Sequence, residues 1–174
     1  MKTKKIIKLA ESEINTKYGK FQEHLYGDGH NNFIAITMGN LSGSENVLCR
    51  VHSTCIYGHY FNNIDCDCQS QLDNAQRLIQ SEGRGIIILL DQEGKGNGHL
   101  ALMKSKVYKD LGYPQSKAYE AAGFRSDARD YTGAAFIIKD LKIDSIVMIT
   151  DNVDKIKTLT EHDVKVIDIK TAQI

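Results

Sequence analysis

Tryptophan is absent from the 174 residues and proline occurs once. No linker, repeat or low-complexity tract divides the chain, which predicts a single domain over residues 1–174. No apolar run approaches the length of a bilayer span, and the start Met1-Lys-Thr-Lys-Lys-Ile-Ile-Lys lacks the apolar core of a signal peptide. A cytoplasmic protein without membrane contact is expected. Net charge is lacking as well: Lys plus Arg and Asp plus Glu both total 22, so no general attraction draws the chain to nucleic acid or to an anionic membrane. Nor is there a basic stripe with interleaved aromatics. Any anion site must be local. With 41% hydrophobic and 25% charged residues, the composition is that of a compact soluble enzyme.

Four cysteines are present, all between Cys49 and Cys68. Without an export signal they favour metal over disulfides, because the cytosol keeps thiols reduced. Three fall in the run Cys55-Ile-Tyr-Gly-His-Tyr-Phe-Asn-Asn-Ile-Asp-Cys66-Asp-Cys68, where three thiolates can close on one metal and leave a coordination position open. A structural zinc site fills four tetrahedral positions with Cys or His, whereas a catalytic one keeps a position for water or substrate. A fourth ligand from Cys49, His52 or His59 would close the site, and buried apolar cysteines are the plainest alternative. The preferred reading is a three-thiolate catalytic centre with the fourth position free for water. Cys49 lies in an apolar strand and is expected to face the core.

The organisation changes near these cysteines. Before them, β-branched and apolar residues at 6–14, 21–25, 32–38 and 46–52 alternate with turn signals such as Tyr18-Gly19 and Gly39-Asn40, predicting strands. After Cys68 the period lengthens: Leu72, Ala75, Leu78 and Ile79 share a helical face, which Gly83-Arg-Gly85 stops before the buried strand 86–90. Helices are expected near 98–111, 116–122, 127–141 and 153–162, with strands at 145–150 and 164–169. The fold class is α/β (α+β): a mixed sheet with antiparallel N-terminal strands and flanking helices.

Two further runs carry chemistry. Asp91-Gln-Glu-Gly-Lys-Gly-Asn-Gly98 lies between a buried strand and a helix, a junction whose glycines and helix N-terminal amides suit a phosphate, although a flexible turn would explain it as well. It lacks the order of a Walker loop. In Gly123-Phe-Arg-Ser-Asp127-Ala-Arg129-Asp130-Tyr131 a carboxylate and a guanidinium stand two apart. Spacing alone favours a helix start, capped by Ser126 or Asp127.

Taken together, these runs resemble the GTP cyclohydrolase II family. The resemblance covers roughly residues 49–169 and rests on Arg50-Val-His-Ser53, Cys55, Cys66-Asp-Cys68, Gln71-Leu, Gly83-Arg-Gly, Gln92-Glu-Gly94, Gly112-Tyr, Gly123-Phe, Asp127-x-Arg129-Asp and Thr150-x-Asn-x-x-Lys155. It implies zinc held by Cys55, Cys66 and Cys68, with water activated there to attack C8 of guanine, open the imidazole ring and release formate. Pyrophosphate also leaves. Arg129 matches the arginine thought to attack the α-phosphorus, and Asp127 the carboxylate that assists it. A guanidinium is a poor nucleophile, so fixed charge stabilisation is the simpler role for Arg129. Arg50, Val51, His52 and Ser53 are implied beside the nucleotide, Gln71 near the base, and Glu93, Gly94 and Lys95 around base and phosphates, with Thr150 and Lys155 completing the set. Glu93 is the natural guanine reader, since a carboxylate accepts from both N1–H and the exocyclic amine. Magnesium at the triphosphate and a homodimer are also implied.

This chain departs from the family pattern at substrate-facing positions. Lys95 stands for arginine, Thr54 for glutamate, and Lys106 for a tyrosine that assists the hydrolysis. Tyr108 lies two positions on, about 200° around a helix, and replaces it only if the helix shifts. Pro114-Gln115 occupies the place of an expected threonine, and Thr150-Asp-Asn-Val replaces Thr-Asn-Asn-Pro. Three readings follow: a GTP cyclohydrolase II, stopping at the formylamino-pyrimidine if the missing tyrosine serves the second hydrolysis; a paralogous zinc hydrolase opening another purine or pyrimidine nucleotide; or a non-catalytic nucleotide-binding protein.

Overall fold

The computed structural model describes residues 5–172. The chain runs β1 (Ile7–Thr16), β2 (Gly19–Gly27), β3 (Asn32–Met38), β4 (Val47–Ser53), α1 (Ile56–His59), α2 (Cys68–Glu82), β5 (Gly85–Leu90), a 3-10 turn (Glu93–Gly96), α3 (His99–Asp110), α4 (Gln115–Ala121), α5 (Thr132–Asp140), β6 (Ile146–Ile149), α6 (Val153–Glu161) and β7 (Val166–Lys170). The strands form one mixed sheet in the order β1-β2-β3-β5-β4-β6-β7. β1, β2, β3 and β5 pair antiparallel, whereas β4 runs parallel to both β5 and β6, and β6 runs parallel to β7. The expected α/β class holds.

Successive side chains of β5 enter cores on opposite faces of the sheet. Ile86, Ile88 and Leu90 enter a core with Tyr26, Val51, Met148 and residues of α5, while Ile87 enters a second core with Leu48, Val147 and the Ala75 and Ile79 face of α2. The helical period after Cys68 thus reports the covered face correctly. Cys49 is fully buried in the first core, as its place in an apolar strand predicts, and burial pushes its thiol up to about 12.

Three features differ from the sequence-based expectation. β4, grouped there with the antiparallel start, lies at the centre of the parallel half, because α2 forms a crossover between β4 and β5. The helix expected over 127–141 begins only at Thr132: Asp130 Oδ1 accepts from the Thr132 amide (2.8 Å) and hydroxyl (2.6 Å), so neither Ser126 nor Asp127 caps it. Residues 127–131 are thereby left outside helix and strand, with Asp127 and Arg129 paired to each other. The short α1 was not anticipated, and four residues carry no helical period to detect it.

Gly85 opens β5 at a close approach: a Cβ there would lie 2.9 Å from the Leu48 carbonyl oxygen on the neighbouring strand and 2.6 Å from Ile79 Cγ1. The backbone atom cannot yield without shifting the β4–β5 ladder. Gly85→Ala is expected to destabilise the protein by about 1–3 kcal/mol, the range for overpacking a tight core, measured by urea denaturation; an unchanged midpoint would contradict this packing.

Candidate active site and metal centre

The parallel strands aim their C-terminal ends at one side of the sheet, where ligands bind in open α/β folds. β4 ends at Ser53 and leads into the cysteine loop, and β5 ends at Leu90 and leads into the glycine loop. Thr54 ties the two ends together, donating both its amide (2.9 Å) and its hydroxyl (3.1 Å) to the Leu90 carbonyl. A cavity of about 640 Å³ opens there, within the size range of small-molecule sites.

Cys55, Cys66 and Cys68 converge on its rim, with their sulfurs within 4.8 Å of one another and the Cys55 and Cys66 pair 3.5 Å apart. Three thiolates on a tetrahedral zinc at about 2.3 Å stand about 3.8 Å apart, so the cluster is close to metal-ready. Gly58 permits this convergence, since a Cβ on it would lie 3.0 Å from Cys66 Sγ. Burial raises the pKa values of Cys55 and Cys68. The alternative fourth ligands point elsewhere among the described residues. Cys49 is in the core, and His52 and His59 face each other with Nε2 atoms 2.9 Å apart.

Glu93 joins the cysteine and glycine loops. It is buried, with Oε2 accepting from the Ile56 amide at the start of α1 (2.7 Å) and Oε1 from the Gly94 amide (3.3 Å). Each oxygen keeps a further lone pair, and the side chain lines the cavity. Gly96 lets the glycine loop close on the segment carrying Asp127 and Arg129, because a Cβ there would lie 2.7 Å from the Ala128 carbonyl carbon and oxygen. The Ala128 amide donates to the Lys95 carbonyl (2.9 Å).

Asp127 and Arg129 form a forked pair: Nε donates to Oδ1 (2.9 Å) and Nη2 to Oδ2, while the Arg129 amide also reaches Oδ1 (3.1 Å). Burial works against both charges, but the pairing outweighs it, lowering the Asp127 pKa and raising that of Arg129. Both groups are therefore ionised, with Arg129 on the cavity wall and Asp127 orienting it.

Of the remaining sequence-predicted residues, Ser53, Gly94 and Lys95 line the cavity; Arg50, His52, Gln71, Thr150 and Lys155 are buried or half-buried polar groups, and the Val51 side chain belongs to the core. Arg50 is 3% exposed and donates to the Ile149 carbonyl (2.8 Å) and to Gln71 Oε1 (2.6 Å). Its guanidinium also faces His52 Nδ1 at 3.4 Å, and burial with this cation pushes His52 down to about 2, so the ring stays neutral. Lys155 donates to the Val51 carbonyl (2.8 Å), and burial with Arg50 and Arg129 pulls it down to about 7. The sequence motifs did not single out Tyr57, Leu102, Ser105, Lys109 or Tyr119 on the cavity wall.

A family model of GTP cyclohydrolase II matches residues 7–171. The chain belongs to the GTP cyclohydrolase II family. It is 36% identical over 161 residues to a GTP cyclohydrolase-2 of Neisseria meningitidis, covering 92% of this chain and 82% of that protein. The corresponding protein of Escherichia fergusonii is 35% identical over 166 residues with the same coverage. A riboflavin biosynthesis protein RibBA of Chlorobium phaeovibrioides is 36% identical over 97% of this chain, which spans only 42% of that longer protein. Among solved structures, RibBX, a two-domain 3,4-dihydroxy-2-butanone 4-phosphate synthase from A. baumannii, is similar in fold, with a TM-score of 0.50 at 11% identity over 97% of this chain and 41% of that one.

Against the GTP cyclohydrolase II pattern, the departures at Thr54, Lys95, Lys106 and Gln115 all lie on the cavity wall. α3 runs unbroken from His99 to Asp110, so Tyr108 does not take the place of Lys106; its ring packs edge-on against Tyr113 with centroids 6.0 Å apart.

The four thiols should divide three to one. In metal-free folded protein, a thiol reagent is expected to modify Cys55, Cys66 and Cys68 but spare Cys49 until denaturant is added, and a thiophilic divalent ion should protect the three. Four thiols reacting at one rate, followed by absorbance and mass spectrometry, would contradict this placement.

Proposed function

We propose that the protein is a zinc-dependent hydrolase that opens the imidazole ring of GTP, releasing formate and pyrophosphate to leave a diaminopyrimidinone ribosyl phosphate. The observation that carries this reading is the meeting of three convergent cysteine sulfurs, a buried Glu93 and an ionised Arg129–Asp127 pair on one cavity. Cys55, Cys66 and Cys68 would hold zinc, which when bound supplies a nucleophilic water near neutral pH and stabilises a tetrahedral centre. Glu93 accepts from the guanine N1–H and amine through its free lone pairs. Arg129, fixed by Asp127, presents a permanent cation to the phosphate where charge develops. Lys95 and Lys155 supply further positive charge for the triphosphate, with magnesium; Ser53 and Gly94 contribute wall contacts. Arg50, Val51, His52, Gln71 and Thr150 complete the nucleotide-binding set that the family implies. A place in riboflavin biosynthesis, a cytoplasmic location, a single domain and a homodimer belong to the same reading through the family.

Lys106, Thr54 and Gln115 on the cavity wall favour one second reading, in which the ring opens but the formyl carbon stays, or another purine or pyrimidine nucleotide is the substrate. Incubating zinc-loaded protein with GTP and magnesium while following formate, pyrophosphate and product mass separates these. Formate with pyrophosphate is the expected result, and Cys66→Ser should lose both zinc, by elemental analysis, and turnover. GTP left intact by zinc-loaded protein would overturn the assignment.

Lys155 is held against its own stability. Its folded pKa of about 7 lies below the ordinary lysine value, so the unfolded chain binds more protons between about pH 7 and the ordinary value. The stability penalty is fullest below pH 7 and fades as pH rises. Lys155→Met should therefore raise the thermal midpoint, more at pH 6 than at pH 9, while weakening GTP binding. A variant that is less stable at both pH values would refute this account.

A further inference from the structure

Two tyrosines reach the cavity, Tyr57 and Tyr119. Tyr57 packs its ring edge-on against His99, with centroids 5.4 Å apart. Tyr119 differs in being almost wholly enclosed. It is 1% exposed, fixed on α4 where that helix packs against α3, and its hydroxyl lies 3.5 Å from the point a Cβ on Gly94 would occupy. The hydroxyl therefore sits beside the Glu93-Gly94 backbone. Among the described residues no hydrogen bond from this hydroxyl is seen, and Tyr119 lines the cavity, so a ligand there can take it.

Its surroundings decide its chemistry. Burial and then the charge of Glu93, ahead of Cys55, push Tyr119 up to about 12, so it keeps its proton throughout the neutral range. The wall thus presents a committed donor close to the committed acceptor Glu93. A lactam edge, with a ring N–H next to a carbonyl oxygen, matches this pair: the N–H donates to the carboxylate and the oxygen accepts from the phenol. Adenine presents the reverse, an acceptor nitrogen beside a donor amine. It would leave both wall groups unsatisfied.

We infer that Tyr119 is a specificity-determining residue, donating its hydroxyl to the carbonyl oxygen of a 6-oxopurine whose adjacent N–H is read by Glu93. The inference rests on the proposed binding of GTP in this cavity and adds the group that recognises O6. It also gives this chain a phenol on the cavity wall from α4, where Lys106 of α3 offers none.

The test compares GTP with 6-thioguanosine triphosphate, whose thiocarbonyl is a weak acceptor, in zinc-loaded parent and Tyr119→Phe protein. The parent is expected to prefer GTP by about tenfold in kcat/KM, and the variant to lose about tenfold on GTP while its preference falls to near unity. Zinc content and thermal midpoint should be unchanged, because the removed oxygen faces the cavity. A variant that keeps the parent's preference overturns the inference, whatever its absolute activity, since a merely structural role would slow both substrates alike. If the parent itself does not bind GTP, as titration of the parent alone would show, the reading of the cavity fails and this inference with it.

Discussion

The site depends on two adjacent parallel strands ending at the same level. β4 and β5 are paired from Leu48 with Gly85 to Ser53 with Leu90, and Thr54 closes the last rung by donating twice to the Leu90 carbonyl. The two loops that carry the cysteines and Glu93 leave the sheet at that rung. The cysteine loop follows one strand and the glycine loop the other, so their spacing is inherited from the sheet and need not be maintained by the loops. Glu93 then fastens the loops to each other through backbone amides on both sides. A carboxylate suits this role, because two oxygens with four lone pairs can satisfy two amides and still present acceptors to a ligand.

Beneath this rung the protein tolerates charges that an apolar core would exclude. Arg50 and Lys155 are both buried, and neither has a carboxylate partner within salt-bridge distance among the described residues. Their hydrogen bonds go instead to carbonyls of β4 and β6 and to Gln71. Carbonyl acceptors offset part of the desolvation but supply no counterion. The histidine pair fits the same logic: beside two cations, His52 remains neutral and serves as a hydrogen-bonding spacer between Arg50 and the cysteine loop.

How much of this was legible in the sequence follows the physics of each signal. The cysteine spacing survives folding because three thiols in a short loop converge with little help from the rest of the chain. The 3.6 period of α2 is likewise local, and it gave the right face. By contrast, the run at 127–131 contains two aspartates able to cap a helix, and nothing local says that Asp130 serves Thr132 while Asp127 turns to Arg129. The parallel placement of β4 depends on a crossover, and its own residues do not show it. Family motifs marked Arg50, His52, Thr150 and Lys155 without revealing how deeply they are buried. Tyr119 carries no motif and reaches the cavity only through the packing of α4 on α3, so it emerges from tertiary structure alone.

Charges of both signs line the cavity, and outside the glycine loop they come from different elements. Lys106 and Lys109 come from α3 and Arg129 from the segment before α5, while Asp65 and Asp67 come from the stretch after β4. A chain with no net charge therefore contains an electric dipole across its own cleft, and low-dielectric walls concentrate such a field. The consequence is a torque on whatever enters. An anionic group entering the cleft is drawn toward the cationic side before it makes any contact, so that part of its orientation is selected during approach.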